Sequence, residues 1–352
     1  MSRPVLFVTN HAPPERVPAF RLLAEREEVV FALIGGRLRH AGASVDELPF
    51  AHLRVREREI GALAASGRYR AVVAGLSGRV ALPSAFLGAR RARVPFVLWA
   101  TIWAHPRTPA HALSWAPLRL LYRNADAVVT YGPHVSAYVR ARGARRVFEA
   151  PQAVDNAFWS ASVPGERRAP FQAVFVGRME REKGVTVLFR AWRESGLQAP
   201  YAALALLGGG RIRAPAAATS AVPLGPLGPE QVRNFMAGSD VLVLPSLATR
   251  AFREPWGLVV NEAMNQSLPV IASTAVGAVA GGLVRHEHNG LVVAPGDVGA
   301  LAAALRRMQA EPGLRARLGR AGRADVARLT FAAWAEGVSR ALGAAGASRS
   351  GC

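Results

Sequence analysis

The stretch VFVGRMEREKGVTVLFRAW, residues 174–192, decides the fold class. A short β-branched and aromatic run ends in a glycine and a charged loop, after which Val185, Leu188 and Trp192 recur at helical spacing. This order predicts a buried strand, a turn and an amphipathic helix, which together form the repeating unit of a parallel sheet. The same alternation continues in both directions along the 352 residues. The sequence therefore predicts an α/β protein with parallel sheets.

The alternation falls into two halves. Predicted strands of the first half are Val5–Thr9, Val29–Ile34, Ala71–Gly75, Phe96–Ala100, Ala127–Tyr131 and Val147–Ala150. Those of the second half are Ala173–Val176, Ala203–Leu207, Val241–Leu244, Val270–Ala272 and Gly290–Val293. Between them, the polar and proline-bearing stretch SASVPGERRAP (160–170) is typical of a linker. We expect doubly wound domains over 1–160 and 171–330, a linker over 161–170, and a helix with a flexible tail over 331–352.

Composition restricts the function classes. The single cysteine, Cys352, excludes a disulfide framework or a cysteine-based metal site within one chain and favours a cytoplasmic location. Apolar runs are too short to cross a bilayer, and the N-terminal run is expected to be a buried strand instead of a signal peptide. The net charge of +20 invites a nucleic-acid hypothesis. However, the basic residues are spread over both halves without a long run, so we expect no nucleic-acid partner.

The loop before the helix of the opening stretch carries two cations, Arg178 and Lys183. Lys183 is the only lysine among the 44 basic residues of the chain. Cations near a helix N-terminus are electrostatically unfavourable unless an anion is bound there. The alternative is that Glu180 and Glu182 neutralise them on a solvated loop, and this segment alone does not decide between the two.

A second segment, REPWGLVVNEAMNQSLPVIAST (253–274), places two glutamates near a predicted helix start. Pro255 is suited to open the helix, with Glu254 just before it and Glu262 about two turns inside. Free backbone amides over 256–259 would then form a seat for an anion between the two carboxylates. Such a site suits a ligand with hydroxyls and phosphates. A solvated helix face is the alternative, which the surrounding apolar residues disfavour.

A third segment, ALALLGGGRIR (203–213), ends a strand in three glycines that let a ligand approach the backbone. With all three segments in this order, the chain resembles the retaining glycosyltransferases of family four. These have the GT-B architecture, two Rossmann-like domains facing a central cleft. The resemblance is strong over roughly 170–300. It is carried by Gly177-Arg178, Glu182-Lys183-Gly184, the run Glu254 to Val259, Glu262-Ala263, Leu268 to Ile271, VGA (276–278) and HNGLVV (288–293).

The resemblance implies a donor site in the second domain and an acceptor site in the first. Arg178 and Lys183 would hold the diphosphate of a nucleotide sugar, Glu254 the hydroxyls of its sugar, and Glu262 the ribose diol. Further implied donor contacts are Gly208, Trp256, Gly257, Leu258 and Val259. In the first domain, a histidine beside the transferred sugar is expected, with His105 in LWATIWAHP as the first candidate and His11 as the second; a purely structural histidine is the alternative for either. Asn10 and His11, in the glycine-free loop TNHAPPERVPAF (9–20), are the acceptor candidates.

The implied reaction moves a sugar from a nucleoside-diphosphate sugar to a hydroxyl, with retention of anomeric configuration. The acceptor would be a glycan, a glycolipid or a small natural product. No cofactor and no metal are expected, because the chain lacks a pair of aspartates two residues apart and its cations would neutralise the leaving diphosphate. Two alternatives stay open: a sugar-nucleotide epimerase or phosphorylase on the same fold, and a non-catalytic basic protein that binds nucleic acid or membrane.

Two further patterns lie outside these motifs. The stretch HALSWAPLRLLYRN (111–124) mixes Trp115, Leu118, Leu121 and Tyr122 with arginines, which is typical either of contact with an anionic membrane or of ordinary packing under a sheet. Membrane contact would place the protein peripherally on the inner face. Asp126 and Asp240 each stand between a helix and a strand, where we expect them to bind backbone groups.

Overall fold

The computed structural model describes residues 3–35, 47–76, 78–213 and 220–346. The chain divides into two compact units. The first is formed by Met1–His105, Pro109–Gln152 and Leu329–Cys352, and the second by Pro106–Thr108 and Ala153–Arg328. Each unit is an α/β domain with one parallel sheet, so the predicted fold class is confirmed.

The described part of the first unit holds a seven-stranded sheet in the order β3-β2-β1-β4-β5-β6-β7, in which every pair is parallel. Its strands are β1 (Val5–Thr9), β2 (Val29–Leu33), β3 (His52–Arg54), β4 (Ala71–Gly75), β5 (Phe96–Trp99), β6 (Ala127–Thr130) and β7 (Val147–Glu149). Its helices are α1 (Val17–Glu27), α2 (Ile60–Ala65), α3 (Ala81–Ala92), α4 (Pro109–Asn124), α5 (Pro133–Arg140) and α13 (Phe331–Ala344). The chain order reverses between β1 and β4.

Aromatic side chains form much of the core on one face of this sheet. Phe20 of α1 stacks on Phe31 of β2 with ring centroids 4.7 Å apart. Trp334 of α13 lies 5.7 Å from the Phe20 ring and is 1% exposed. Because burial of a large aromatic side chain contributes roughly 2–3 kcal/mol, these contacts fix α13 to the first unit.

The second unit holds a six-stranded parallel sheet in the order β10-β9-β8-β11-β12-β13. Its strands are β8 (Phe171–Val176), β9 (Ala202–Leu207), β10 (Ala221–Gly225), β11 (Val241–Leu244), β12 (Val270–Ser273) and β13 (Gly290–Val293). Its helices are α6 (Asn156–Ser160), α7 (Val185–Ser195), α8 (Pro229–Ala237), α9 (Val259–Asn265), α10 (Gly277–Ala280), α11 (Val298–Ala310) and α12 (Pro312–Val326). Here the chain order reverses between β8 and β11.

The apolar face of α7, from which the fold was predicted, forms part of the core of the second unit. Val185, Leu188 and Trp192 of α7 are buried in one apolar cluster with the inner faces of the strands. The indole N–H of Trp192 donates to the hydroxyl of Ser220 at 2.8 Å, so the buried polar atom has a partner. The predicted amphipathic helix is therefore confirmed.

Two strands were not predicted, and both lie at sheet edges. In β3, Leu53 and Arg54 are exposed, so its residues lack the buried run that marks the central strands. In β10, Pro223 interrupts the pattern and the register shifts between Pro223 and Gly225. Edge strands carry weaker apolar patterns than central strands, which explains why the sequence did not reveal them.

The unit boundaries differ from those expected. The first unit ends its main segment at Gln152, because α6 packs within the second unit. There the side-chain amide of Gln266 donates to the carbonyls of Trp159 and Ala161. The expected linker 161–170 is likewise part of the second unit, where Glu166 N–H donates to Asn234 O at 2.9 Å. The helix over 331–344 belongs to the first unit, and the predicted tail beyond residue 346 lies outside the described residues.

Helix α4 presents a different surface from the one expected. Leu121 and Tyr122 are buried in the first unit, so they face its core. The exposed apolar side chains are Leu113, Trp115 and Leu120, at 84%, 44% and 58%. Among the described residues, no helix combines the length and apolar character needed to span a bilayer.

Candidate functional site

The predicted donor residues gather at the carboxyl edge of the second sheet. Gly208 directly follows β9, and Arg178 is the second residue after β8. Ser246, which was not predicted, is the second residue after β11. These three strands are neighbours, and the chain order reverses between β8 and β11. Loops diverge at such a reversal, which is where open parallel sheets bind their ligands. The sheet order thus brings together segments that lie far apart in the sequence.

Lys183 and Glu254 contact each other at this edge. The ammonium of Lys183 forms an ion pair with Glu254 Oε2, and the two side chains are only 15% and 8% exposed. The Ser246 hydroxyl donates to the same oxygen at 3.1 Å, and Lys183 Nζ lies 5.7 Å from the centre of the Phe252 ring. A partly buried cation is therefore held at a fixed position by a carboxylate and an aromatic face.

The backbone before α7 explains how Lys183 reaches this position. A single 3₁₀ turn over Arg181–Lys183 ends at Gly184, whose φ of 73° is left-handed. A Cβ added to Gly184 would stand 1.9 Å from the carbonyl oxygen of Pro245, a distance no side chain tolerates. Leu247 N–H also donates to Glu182 O at 2.8 Å. Glycine thus permits the close backbone approach that brings the β8–α7 loop against the loop after β11.

Arg178 is partly neutralised within its own loop. Its guanidinium donates to Glu182 Oε1 at 3.1 Å, an ion pair whose arginine side chain is 40% exposed. Its Nε is buried and has no hydrogen-bond partner among the described residues. Glu182 therefore contacts Arg178, as the solvated-loop alternative expects, while one buried donor of the guanidinium has no partner within the described part of the chain. Binding of an anion there stays a prediction.

Gly208 has a structural reason for being glycine. Its φ is 133°, and an added Cβ would lie 2.0 Å from the carbonyl oxygen of Gly177. The loops after β8 and β9 approach each other more closely there than any side chain would allow. This crowding accounts for the residue type, and contact with a donor stays a prediction.

The segment from Glu254 to Glu262 departs from the expected helix. Helix α9 begins at Val259 with Leu258 as its N-cap, so Pro255 does not open it and Glu262 lies in its first turn. The chain before it is extended and pairs with the residues that follow β12. Gly277 N–H donates to Glu254 O at 3.1 Å. This pairing holds residues 254–256 out of the helix. Of the backbone amides over 256–259 that were predicted to bind an anion, those of residues 257–259 thus remain candidates.

The side chain of Trp256 is a core group. It is 4% exposed, and its indole N–H donates to Asn261 Oδ1 at 2.8 Å. Asn261 is itself fully buried. Any ligand contact of residue 256 would therefore involve its backbone, and the side chain stabilises the loop.

The motif HNG, which formed part of the family resemblance, fastens β13 to α12. Asp325 of α12 accepts hydrogen bonds from Arg285, His288 and Asn289 at 2.8–2.9 Å. Burial alone would raise the pKa of Asp325, but the hydrogen bonds from Arg285, Asn289 and His288 outweigh it and lower the pKa below its ordinary value. These residues therefore have a structural role.

The candidate residues of the first unit lie in two places. Asn10 and His11, after β1, line a cavity of about 580 Å³. His105, beyond β5, has its Nε2 2.7 Å from the carbonyl oxygen of His111 and 3.4 Å from the hydroxyl of Ser114. This ring is held by the start of α4, and the structure does not place His105 in the same cavity as Asn10 and His11.

Sequence reasoning missed Ser246 and Phe252, which position the ion pair. Ser246 follows the buried run VLVLP, and a serine just after a central strand is a signal that could have been used. Phe252 stands two residues before Glu254 without any pattern that marks it. Within the residues the structure describes, no three His, Cys, Asp or Glu side chains cluster closely enough to hold a metal ion.

Comparison with known proteins gives a family. The sequence profile of the family described as "Glycosyl transferases group 1" matches residues 170–311, which include the site at the edge of the second sheet. The lipopolysaccharide core biosynthesis glycosyltransferase LpsD of Rhizobium meliloti is 30% identical over 255 residues, 63% of this chain and 67% of LpsD. A glycogen synthase of Mycobacterium tuberculosis is 27% identical over 214 residues, 58% of this chain and 50% of that enzyme.

Other relatives match over a smaller share of their length. TuaC of Bacillus subtilis is 34% identical over 139 residues, which are 40% of this chain and 33% of TuaC. The chain thus spans from a third to two thirds of the curated relatives described here.

Solved structures share the fold along nearly the whole chain. HepE of Anabaena, solved in complex with UDP, superposes with a TM-score of 0.74 at 18% identity, covering 97% of this chain and 99% of HepE. Sucrose-phosphate synthase of Thermosynechococcus elongatus gives a TM-score of 0.72 at 20% identity, covering 96% and 98%. The profile match, the likeness to LpsD and the two parallel-sheet Rossmann-like units agree with one another. The chain belongs to the glycosyl transferases group 1 family, with the GT-B type of fold.

Proposed function

We propose that the protein transfers a sugar from a nucleoside-diphosphate sugar to a hydroxyl group of an acceptor. The observation that carries the proposal is the pair of Lys183 and Glu254, held at the reversal point of the second sheet. A fixed cation beside a carboxylate suits a donor that presents a diphosphate next to sugar hydroxyls. The family membership supports the same reaction class.

The roles follow from charge and position. Lys183 and Arg178 neutralise the negative charge that grows on the departing diphosphate, and the unpartnered Nε of Arg178 has a donor to offer. Glu254 accepts hydrogen bonds from sugar hydroxyls, and Glu262 from the ribose. Backbone amides over 257–259 complete the contacts with the β-phosphate and the sugar. These assignments combine the family resemblance with the gathering of Arg178, Lys183 and Glu254 at one sheet edge.

Nucleotide sugars are the donor class we propose because HepE structures contain UDP and UDP-glucose. We further propose the retaining mechanism of family four, with transfer of a hexose and no metal ion. Attack from the face that the diphosphate leaves would let that group take the acceptor proton, so the protein positions the reactants and stabilises charge. His105 would lie beside the transferred sugar. The anomeric proton of the product, followed by NMR, distinguishes retention from inversion, and added chelator tests the metal.

The acceptor class is proposed from the names of the relatives. LpsD is named for lipopolysaccharide core biosynthesis and the mycobacterial relative for glycogen synthesis, so we propose a glycan or glycolipid of the cell envelope, with a small natural product as the alternative. A sugar-nucleotide epimerase or a phosphorylase would use the same donor site. Product analysis with and without an acceptor separates these reactions from transfer.

The direct test of the donor roles is removal of the Arg178 guanidinium. Loss of one preorganised charge donor lowers turnover by about two to three orders of magnitude. We expect this for Arg178→Ala, measured as release of nucleoside diphosphate. Arg181→Ala is the matched control, because Arg181 is exposed in the same loop. Near-normal turnover in both Arg178→Ala and Lys183→Ala would contradict the assignment.

We also propose that α4 touches an anionic membrane surface. Leu113 and Leu120 are exposed, and the Arg119 guanidinium lies 5.4 Å from the Trp115 ring centre. Exposed apolar side chains beside arginines suit a boundary between lipid headgroups and acyl chains. Such a contact would bring the protein to a lipid-linked acceptor.

A further inference from the structure

A cavity of about 580 Å³ opens at the carboxyl edge of the first sheet. Its walls come from the residues that follow β1, β2 and β3, three neighbouring parallel strands. Backbone hydrogen bonds fix these exits to one another: Ile34 N–H donates to Thr9 O at 3.1 Å, and Gly35 N–H to Asn10 O at 3.0 Å. The cavity size is within the usual range for small-molecule sites, about 300–1,000 Å³. Hydrogen-bonded strand ends therefore border an open volume that a small ligand can fill.

Two arginines line this cavity. Arg54 ends β3, and Arg56 follows two residues later with extended backbone (φ −84°, ψ 150°). Neither guanidinium forms an ion pair with any residue in the described part of the chain. Two exposed arginines without an ion pair among the described residues thus border one open cavity.

Two carboxylates of the turn that follows β3 are engaged with backbone groups. Glu59, which also lines the cavity, accepts Arg56 N–H at 2.8 Å through Oε2. Glu57 accepts the N–H groups of Val80 and Ala81 at 3.0 and 3.3 Å. The bond to Glu59 lies within the turn before α2, and the bonds to Glu57 tie that turn to the start of α3. The arginines are consequently left for a ligand, and a single carboxylate oxygen of Glu59 remains for a hydroxyl.

His11 supplies a third polar group. Its Nε2 is buried, and among the described residues it has no hydrogen-bond partner. A buried polar atom without a partner destabilises the folded state by about 1–3 kcal/mol, unless a ligand satisfies it. The side chain of Asn10 lies beside it in the cavity wall and can both donate and accept hydrogen bonds.

Apolar side chains complete the wall. Leu33, Ile34, Leu48 and Val55 line the cavity together with the polar groups. Carbon-hydrogen surfaces of a sugar ring pack against such side chains, while its hydroxyls need the histidine, amide and carboxylate. The pair of arginines matches the oxygens of a phosphate or a carboxylate, which a guanidinium can bind through two parallel hydrogen bonds.

We propose that this cavity binds the acceptor, and that the acceptor is a sugar or polyol carrying an anionic group, either a phosphate or a carboxylate. The inference rests on the proposed transfer reaction and adds the chemical class of the second substrate. Arg54 and Arg56 hold the anion, and Asn10, His11 and Glu59 hold hydroxyls.

The test compares neutral probes with anionic probes built on the same sugar or polyol. Glucose is paired with glucose 6-phosphate and with glucuronic acid, and glycerol with glycerol 3-phosphate. Each is titrated into the full chain by calorimetry, with the donor site first saturated by whichever nucleoside diphosphate the protein binds. The variants are the single substitutions Arg54→Gln and Arg56→Gln, their double combination, and Arg58→Gln as a control that matches the single substitutions in charge. Arg58 is exposed in the same turn and does not line the cavity.

We expect a charged probe to bind the wild type and Arg58→Gln at least about tenfold more tightly than its neutral partner, with the difference abolished in the double variant. Preference for glucose 6-phosphate identifies a phosphate, and preference for glucuronic acid a carboxylate. Equal binding of charged and neutral partners, or a preference that survives in the double variant, overturns the proposal. Failure of the transfer reaction is seen separately, as a wild type that releases no nucleoside diphosphate from any sugar donor.

Discussion

Lys183 and Glu254 are 71 residues apart in the chain, yet their side chains form a partly buried ion pair. The contact exists because β8 and β11 are neighbours in the sheet, so the loops that follow them meet. It gives the single lysine of the chain a defined partner at the edge where parallel sheets bind ligands.

We expect substitution of both members of the pair to restore stability but not turnover. Lys183→Ala leaves Glu254 without its cation in a site where the carboxylate is only 8% exposed, so the free energy of unfolding should fall by about 3 kcal/mol. The double variant Lys183→Ala with Glu254→Gln removes the uncompensated charge and should regain most of that loss. Denaturant unfolding measures stability, and release of nucleoside diphosphate measures turnover. Recovery of turnover in the double variant would show that the pair is only structural.

The close approach of two loops predicts a strong effect of a single methyl group. Gly184→Ala would place a Cβ 1.9 Å from Pro245 O in a left-handed backbone conformation. Gly196 has nearly the same φ, 74°, with open space around it, so Gly196→Ala is the matched control. We expect about 1–2 kcal/mol of destabilisation for Gly196→Ala and roughly 3 kcal/mol or more for Gly184→Ala. Equal denaturation midpoints for the two variants would mean that the contact with Pro245 does not constrain the loop.

The bonds to Asp325 predict a pH dependence of stability. Because hydrogen bonds lower the pKa of Asp325 in the folded state, its contribution is complete above the unfolded pKa, about 4, and is lost as the pH falls through the lower folded value. Asp325→Asn should therefore lower the free energy of unfolding by about 1 kcal/mol at pH 7 and by less below pH 4. Glu336→Gln, an exposed change on α13, serves as the control. An equal loss in the free energy of unfolding at both pH values would show that the carboxylate charge does not cause it.

The exposed side of α4 predicts binding to anionic vesicles. Leu113→Asp with Leu120→Asp should reduce co-sedimentation with liposomes that contain phosphatidylglycerol at least about tenfold, since it replaces inserted apolar groups with repelled charges. Leu87→Asp is the control, because Leu87 is 64% exposed on another helix, α3. The wild type should not sediment with neutral liposomes. Absence of sedimentation with anionic liposomes would end the membrane proposal.

The sequence predicted most of the fold because central strands are buried on both faces. Val5–Thr9 and Val241–Leu244 are buried throughout, and such runs of apolar residues between helices mark parallel strands. The edge strands β3 and β10 lack this mark and were missed. Asp126 and Asp240 do bind backbone, as expected, but each accepts an N–H at the start of a neighbouring strand, Phe96 and Gln172.

The site was only partly predictable. Arg178, Lys183 and Glu254 were proposed as site residues from local patterns and family resemblance. The contact between Lys183 and Glu254 depends on strand order, which local patterns do not encode. Helix α9 starts four residues later than Pro255 because the segment before it pairs with Gly277, a long-range interaction. For the same reason, the attachment of α13 to the first unit could not be read from residues 331–344 alone.

The central claim is that Lys183 serves a nucleotide-sugar donor site. Its most direct test is a screen of UDP-, GDP- and dTDP-sugars for release of the nucleoside diphosphate by the wild type and by Lys183→Arg. The ammonium is confined by Glu254 and Phe252, where a planar guanidinium has a different shape and different donor directions. We predict that the wild type turns over the sugars of one nucleotide and that Lys183→Arg is at least about a hundredfold slower with the same donor. Equal rates in the two proteins, or no turnover of any donor by the wild type, would contradict the claim.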